Sequence, residues 1–132
     1  MSTISIESEA APVDRWDRPE CLDEGERADC RGKRRDERVA ARVLAKALAA
    51  RALELELDEV WGDIVCRDEA SGDPFLELQG EARRAANGAT WDRVRVSWAH
   101  TEQFVTAALW VTDGTESSPA AHEVKQRNFQ DS

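Results

Sequence analysis

Apolar positions recur along the chain with two different periods, and each change of period marks an element. From Asp36 to about Leu55, residues Val39, Val43, Lys46, Ala50 and Leu53 fall on one stripe at helical spacing in a segment rich in Ala, Leu and Arg. That is the period and composition of a long helix. Ala40, Ala41 and Ala45 would let another backbone approach it closely. Two later segments alternate instead. Arg93-Val94-Arg95-Val96-Ser97-Trp98 switches between polar and apolar, and Phe104 to Thr112 puts Ala107, Leu109 and Val111 on one face, as half-buried strands do. Trp61 to Arg67 and Phe75 to Leu78 flank the turn Asp68-Glu69-Ala70-Ser71-Gly72-Asp73-Pro74 and read as a β-hairpin. Thr3 to Ile6 predicts a short first strand, and Pro12 and Pro19 punctuate the segment after it. Asp23 with Glu26 three positions on has the form of a capping box and predicts a helix start. Gly80 to Ala86 predicts a short helix stopped by Asn87-Gly88. The order is β, helix, long helix, β, β, helix, β, β, which predicts an α+β fold with an antiparallel sheet packed against the long helix. From Asp113 the composition turns polar, so a single domain over 1–112 is expected to be followed by a loose tail over 113–132.

Composition narrows the class. The chain has 132 residues, enough for one domain, and 41% are hydrophobic, enough for a modest core. The formal net charge is −9, which argues against coating nucleic acid or anionic lipid. No apolar run approaches the roughly 18 residues of a membrane span, and the first ten residues are too polar for a secretory signal, so a cytoplasmic location is expected. Cys21, Cys30 and Cys66 form an odd, widely spaced set, expected to be free thiols, and neither His100 nor His122 shares a zinc-like spacing with them.

Charge is uneven, and this changes the picture. Residues 1–26 carry a net −6, residues 27–51 a net +6, and the remainder a net −9. A basic island in an acidic chain reads either as a solvated helix paired with acids of the same protein or as a docking site for phosphates or an acidic partner. A nucleic-acid surface is the weaker reading, because no aromatic residues interleave with the bases on that helix.

Several segments, taken in order, resemble one family. They are Leu22-Asp23-Glu24-Gly25-Glu26-Arg27-Ala28-Asp29-Cys30, the helix from Arg38 to Leu53, Trp61-Gly62-Asp63-Ile64-Val65, Gly72-Asp73-Pro74-Phe75-Leu76-Glu77-Leu78 with Gly80, and Arg95-Val96-Ser97-Trp98-Ala99-His100-Thr101. In order and spacing they resemble the holo-acyl-carrier-protein synthase branch of the 4′-phosphopantetheinyl transferase superfamily, over roughly residues 22–112. The resemblance implies that superfamily's fold, a homotrimer with sites between subunits, and magnesium-assisted transfer of 4′-phosphopantetheine from coenzyme A to a serine of an acyl carrier protein.

The same resemblance assigns residues and exposes departures. Lys46 and Arg51 match two basic positions of the long helix, and Ser97 and His100 match a motif that faces coenzyme A phosphates. Lys46 and His100 become the catalytic candidates. Lys46, Arg51, Ser97 and His100 become the coenzyme A candidates. Arg15 matches a basic position that meets the carrier protein. The family holds magnesium between a strand Asp and a helix Glu. Here the helix position is Ala47, which has no oxygen to give, and six positions before Arg15 stands Glu9, with Glu7 as the other candidate. Loss of one of two metal carboxylates should cripple transfer, and the vacant position suggests that Ala47→Glu would raise magnesium-dependent activity. Two alternatives therefore stand beside an active transferase. One is a degenerate carrier-protein binder. The other is a repurposed enzyme acting on a carrier-tethered polyketide chain, with His100 as acid or base and Glu9, Glu7 or Asp14 as partner.

Overall fold

The computed structural model describes residues 3–86 and 93–112. Five strands form one sheet in the order β1-β5-β4-β3-β2, with every neighbouring pair antiparallel. They are β1 (Thr3–Pro12), β2 (Ile64–Asp68), β3 (Pro74–Leu78), β4 (Val94–His100) and β5 (Phe104–Thr112). The helices are α1 (Val13–Trp16), α2 (Glu24–Asp29), α3 (Arg35–Ala52), α4 (Leu57–Val60) and α5 (Gly80–Ala85). Among the described residues no helix is long and apolar enough to cross a membrane. The predicted stop at Asn87-Gly88 and the tail over 113–132 lie outside the described residues.

The α+β architecture read from the sequence is borne out. The 18-residue α3 lies on one face of the sheet, where Val39, Val43, Leu44 and Leu48 meet Val96, Val105, Ala107 and Leu109 in a single core. All eight of these residues are at most 3% exposed. Period two is kept by β4, which buries Val94 and Val96, and by Val105, Ala107, Leu109 and Val111 of β5. By contrast, β3 buries the adjacent Phe75 and Leu76, and the Ala-rich middle of α3 is buried on nearly every side.

The short helices α1 and α4 are absent from the sequence reading, and three boundaries differ in ways that matter. β1 runs six residues past Ile6, to Pro12, with Glu7 opposite Leu109 and Glu9 opposite Ala107. Its second half was not legible because these two acids occupy the helix-side face, where alternation leads one to expect apolar residues. Trp61–Asp63 forms a 3-10 turn rather than strand, and β2 begins at Ile64. α3 ends at Ala52, three residues before the expected Leu55. Glu54 there takes the left-handed conformation (φ 60) while the Leu55 N–H donates to the Ala50 carbonyl at 2.8 Å. Helix stops of this kind usually carry glycine, so a glutamate hides the stop from view.

Gly80, one of the motif residues, has a clear physical role. Its φ is +49, and a β-carbon there would sit 2.8 Å from Asp63 Oδ1. Asp63 also accepts the Glu81 N–H at 3.1 Å, pinning α5 to the turn before β2. Gly80→Ala is expected to cost about 1–3 kcal/mol through backbone strain and this collision, measured by urea denaturation.

Candidate functional site

Two polar constellations lie at opposite ends of α3. At its C-terminal end Arg51 donates from Nη1 to Glu9 Oε1 at 2.8 Å and from Nη2 to Glu7 Oε1 at 2.9 Å. Strand alternation puts both glutamates on the helix side of β1, so one guanidinium spans both. These hydrogen bonds, the one to Glu9 first, push the Arg51 guanidinium above its ordinary value. Beside them opens a cleft of about 490 Å³ lined by Glu9, Trp16, Ala47, Leu48, Ala50, Arg51, Glu54, Leu55, Glu56 and Leu57. The cleft is therefore acidic as well as apolar, with Glu9, Glu54 and Glu56 beside Arg51 in its lining and Glu7 bonded to Arg51 from outside that lining.

At the N-terminal end His100 Nδ1 lies 2.8 Å from Glu37 Oε1. The Glu37 side chain is 9% exposed and that of His100 is 24% exposed. None of the acids considered from sequence partners this histidine. Glu37 does, because the first turn of α3 packs over the end of β4, a neighbourhood that no sequence spacing across 63 residues encodes. Next to it Arg42 stacks on Trp98, 5.0 Å from the ring centroid. Glu37 and Arg51 are 14 residues apart on one helix, so the two constellations are about 21 Å apart along its axis.

Lys46 belongs to neither end. It is 1% exposed, and its Nζ donates to Glu26 Oε1 at 2.6 Å, to the Cys21 carbonyl at 3.0 Å and to the Trp61 carbonyl at 3.1 Å. All three N–H donors of the ammonium are spent inside the protein. The structure places this phosphate-binding and catalytic candidate as a buried tie between α3, α2 and the turns flanking them. Glu26 completes the tie. Its Oε2 accepts the Cys66 N–H at 2.7 Å, and its Oε1 also closes the capping box with Asp23. Burial first, then Glu26, pushes the Cys66 thiol well above its ordinary range, so it is not a thiolate nucleophile.

The remaining candidates are scattered. Ser97 pairs with Ala108 and His100 with Val105 on β5. An odd spacing of three along one strand puts their side chains on opposite faces, so they do not converge as the matched motif implied. Arg15 is exposed on α1. The basic island divides between both of its readings. Lys46 and Arg51 are ion-paired, Arg42 stacks, and Arg27 donates to the Pro19 and Leu22 carbonyls. Arg31, Lys33 and Arg34 remain exposed, with no ion-pair partner among the described residues.

Magnesium takes oxygen ligands, commonly one or two carboxylates beside substrate phosphates. Glu7 and Glu9 already hold a guanidinium under 3 Å away, which repels a second cation, and Ala47 in the same cleft brings no oxygen. Among the described residues no group of three or more His, Cys, Asp or Glu gathers as a metal set. The side chains present do not fit the ion.

The chain is 33% identical over 79 residues to a holo-acyl-carrier-protein synthase of Koribacter versatilis. The match takes in 58% of this chain and 63% of that relative's length. A Plasmodium yoelii acyl carrier protein synthase solved with ADP bound superposes with a TM-score of 0.59 at 18% identity, covering 88% of this chain and all of that one. The holo-ACP synthase structure from Plasmodium yoelii gives 0.55 at 15% identity, covering 83% and 96%. The chain has the fold of the 4′-phosphopantetheinyl transferase superfamily. The resemblance carried by the sequence motifs is thus borne out, and similarity to holo-ACP synthases extends to sequence over more than half of the chain. No protein-family model matches. The β1–α3 cleft and the His100 end of α3 are the two candidate sites that this fold presents among the described residues.

Proposed function

We propose that this transferase-fold chain recognises an acyl carrier protein and coenzyme A at a site shared between copies of itself, with 4′-phosphopantetheine transfer slowed by orders of magnitude. The observation that carries the reading is the separation of about 21 Å between the Arg51 cleft and the His100–Glu37 end of one α3. Neighbouring copies would bring two residue sets so far apart to one site, as in the homotrimer that the resemblance implies.

The chemistry divides accordingly. Arg31, Lys33 and Arg34, with Arg15, offer an acidic carrier protein a solvated cationic surface. His100, held by Glu37, offers a hydrogen bond to phosphates, and the Arg42 guanidinium over Trp98 offers the positive charge. The Arg51 cleft accepts the apolar part of a ligand far better than its phosphates, because its own carboxylates outnumber its cation. Slow transfer follows from Ala47 and from the engagement of Glu7 and Glu9. The direct test is mass spectrometry of an apo carrier protein incubated with coenzyme A, magnesium and the chain. A slow gain of one phosphopantetheine group is the expected result, and a rate typical of efficient enzymes would contradict it. Reversing Arg31, Lys33 and Arg34 to glutamate should weaken carrier binding by about tenfold or more at low salt, with the difference shrinking as salt rises. Calorimetry showing equal affinity for wild type and variant would remove this surface from the reading.

One observation favours a second reading. His100 Nδ1 is oriented by a nearly buried carboxylate, while its Nε2 has no partner among the described residues. That is the arrangement of a general acid–base histidine, suited to a chain tethered to a carrier protein. Incubation with holo carrier protein loaded with a polyketide thioester, followed by mass analysis of the tether, separates the two: a change confined to the tethered chain supports this reading.

A further inference from the structure

We propose that Arg51 is the built-in cation of the β1–α3 cleft, its guanidinium bridging Glu9 and Glu7 and closing both carboxylates to a divalent metal ion. The geometry is specific. Two different guanidinium nitrogens each reach a different carboxylate, at 2.8 and 2.9 Å, and strand alternation holds the acceptors on one face. A planar fork of fixed donors suits this task, and a lysine ammonium, a point charge on a flexible stem, does not.

Ala47 lies one helical turn before Arg51 and lines the same cleft. A methyl group there gives the guanidinium no carboxylate one turn back on its own helix, and its ion pairs among the described residues go to β1. The three side chains together carry one net negative charge, and a cation entering between the glutamates must displace or face the arginine. Arg51 is 52% exposed and the glutamates 31% and 25%. Such a partly solvated network adds little to stability, so its consequence is occupancy of the site rather than support of the fold. The inference concerns cation binding alone, and stands or falls separately from carrier recognition.

Manganese(II), followed by electron paramagnetic resonance and calorimetry, tests it on the full chain. Wild type and Ala47→Glu should show only weak binding. Arg51→Met keeps the apolar stem and removes the bridge, and Ala47→Glu with Arg51→Met should bind one ion at least about tenfold more tightly than wild type. Adding Glu9→Gln should abolish that gain, which separates this cleft from the rest of an acidic surface. Arg51→Lys covers the case in which the methionine variants do not fold, since lysine keeps the charge but cannot span both carboxylates. Tighter manganese binding by it than by wild type supports the bridge. Equal affinities across the folded variants, whether weak or strong, overturn the proposal, as does a wild type that already holds one tightly bound ion abolished by Glu9→Gln.

Discussion

Replacing Lys46 by methionine lowers the stability of the fold by about 3–5 kcal/mol, the usual cost of leaving one member of a buried ion pair without its partner. Methionine keeps the apolar stem but strips Glu26 of its 2.6 Å contact and leaves the Cys21 and Trp61 carbonyls without their donor. Glu26 then keeps only the N–H groups of Asp23 and Cys66 around a carboxylate that is 3% exposed. Urea denaturation followed by tryptophan fluorescence measures the loss. Glu26→Gln on top of Lys46→Met should recover part of it, because an amide can accept and donate in that space without a buried charge. A Lys46→Met variant of wild-type stability that has lost coenzyme A binding would reverse the conclusion and return the residue to the ligand site.

Ala47→Glu combined with Arg51→Lys raises the rate of phosphopantetheine transfer to an apo carrier protein on the order of 10²-fold, the size of effect that a preorganised charge in a reacting site supplies. Ala47→Glu alone does not. Residues 47 and 51 are i and i+4 on α3, so a new glutamate pairs with Arg51 and joins the existing cluster. This modifies the expectation from sequence, which treated the missing glutamate as the whole defect. The structure adds a second, because the arginine occupies the remaining carboxylates. A time course of carrier-protein mass for wild type, single and double variants is the check. A double variant that folds normally and stays inert sinks the argument, as does a wild type that already matches its rate.

Several features were legible in the sequence for reasons the structure confirms. The capping box at Asp23 and Glu26 is local hydrogen-bond chemistry, and both of its bonds are present. The last two strands announce themselves by alternation, the hairpin by its turn residues between two apolar runs, and the long helix by its Ala- and Leu-rich composition. The fate of Lys46 was also partly visible. It sits on the same stripe as Val39, Val43 and Ala50, and a lysine in an apolar stripe goes inside only with a partner. Its family match pointed to phosphate, while its position in the pattern pointed to the core, and the core is where the structure places its side chain. Glu26 was the available clue to the partner, because an acid closing a capping box is already held at the helix start, with an oxygen left to share.

What the sequence by itself determined is the long helix, the hairpin, the last strands and the α2 and α5 starts, the kind of fold and the absence of a glutamate at position 47. Each comes from periodicity, local capping or residue identity, whereas the short helices α1 and α4 came only with the structure. Only the tertiary structure decided which charges meet. Glu37 joins His100 across 63 residues, Arg51 joins Glu9 across 42 and Lys46 joins Glu26 across 20. The physical reason is that a charge's partner is chosen by how α3 lies across the sheet and by which face of β1 its acids occupy. Those are properties of packing, and no spacing along the chain records them.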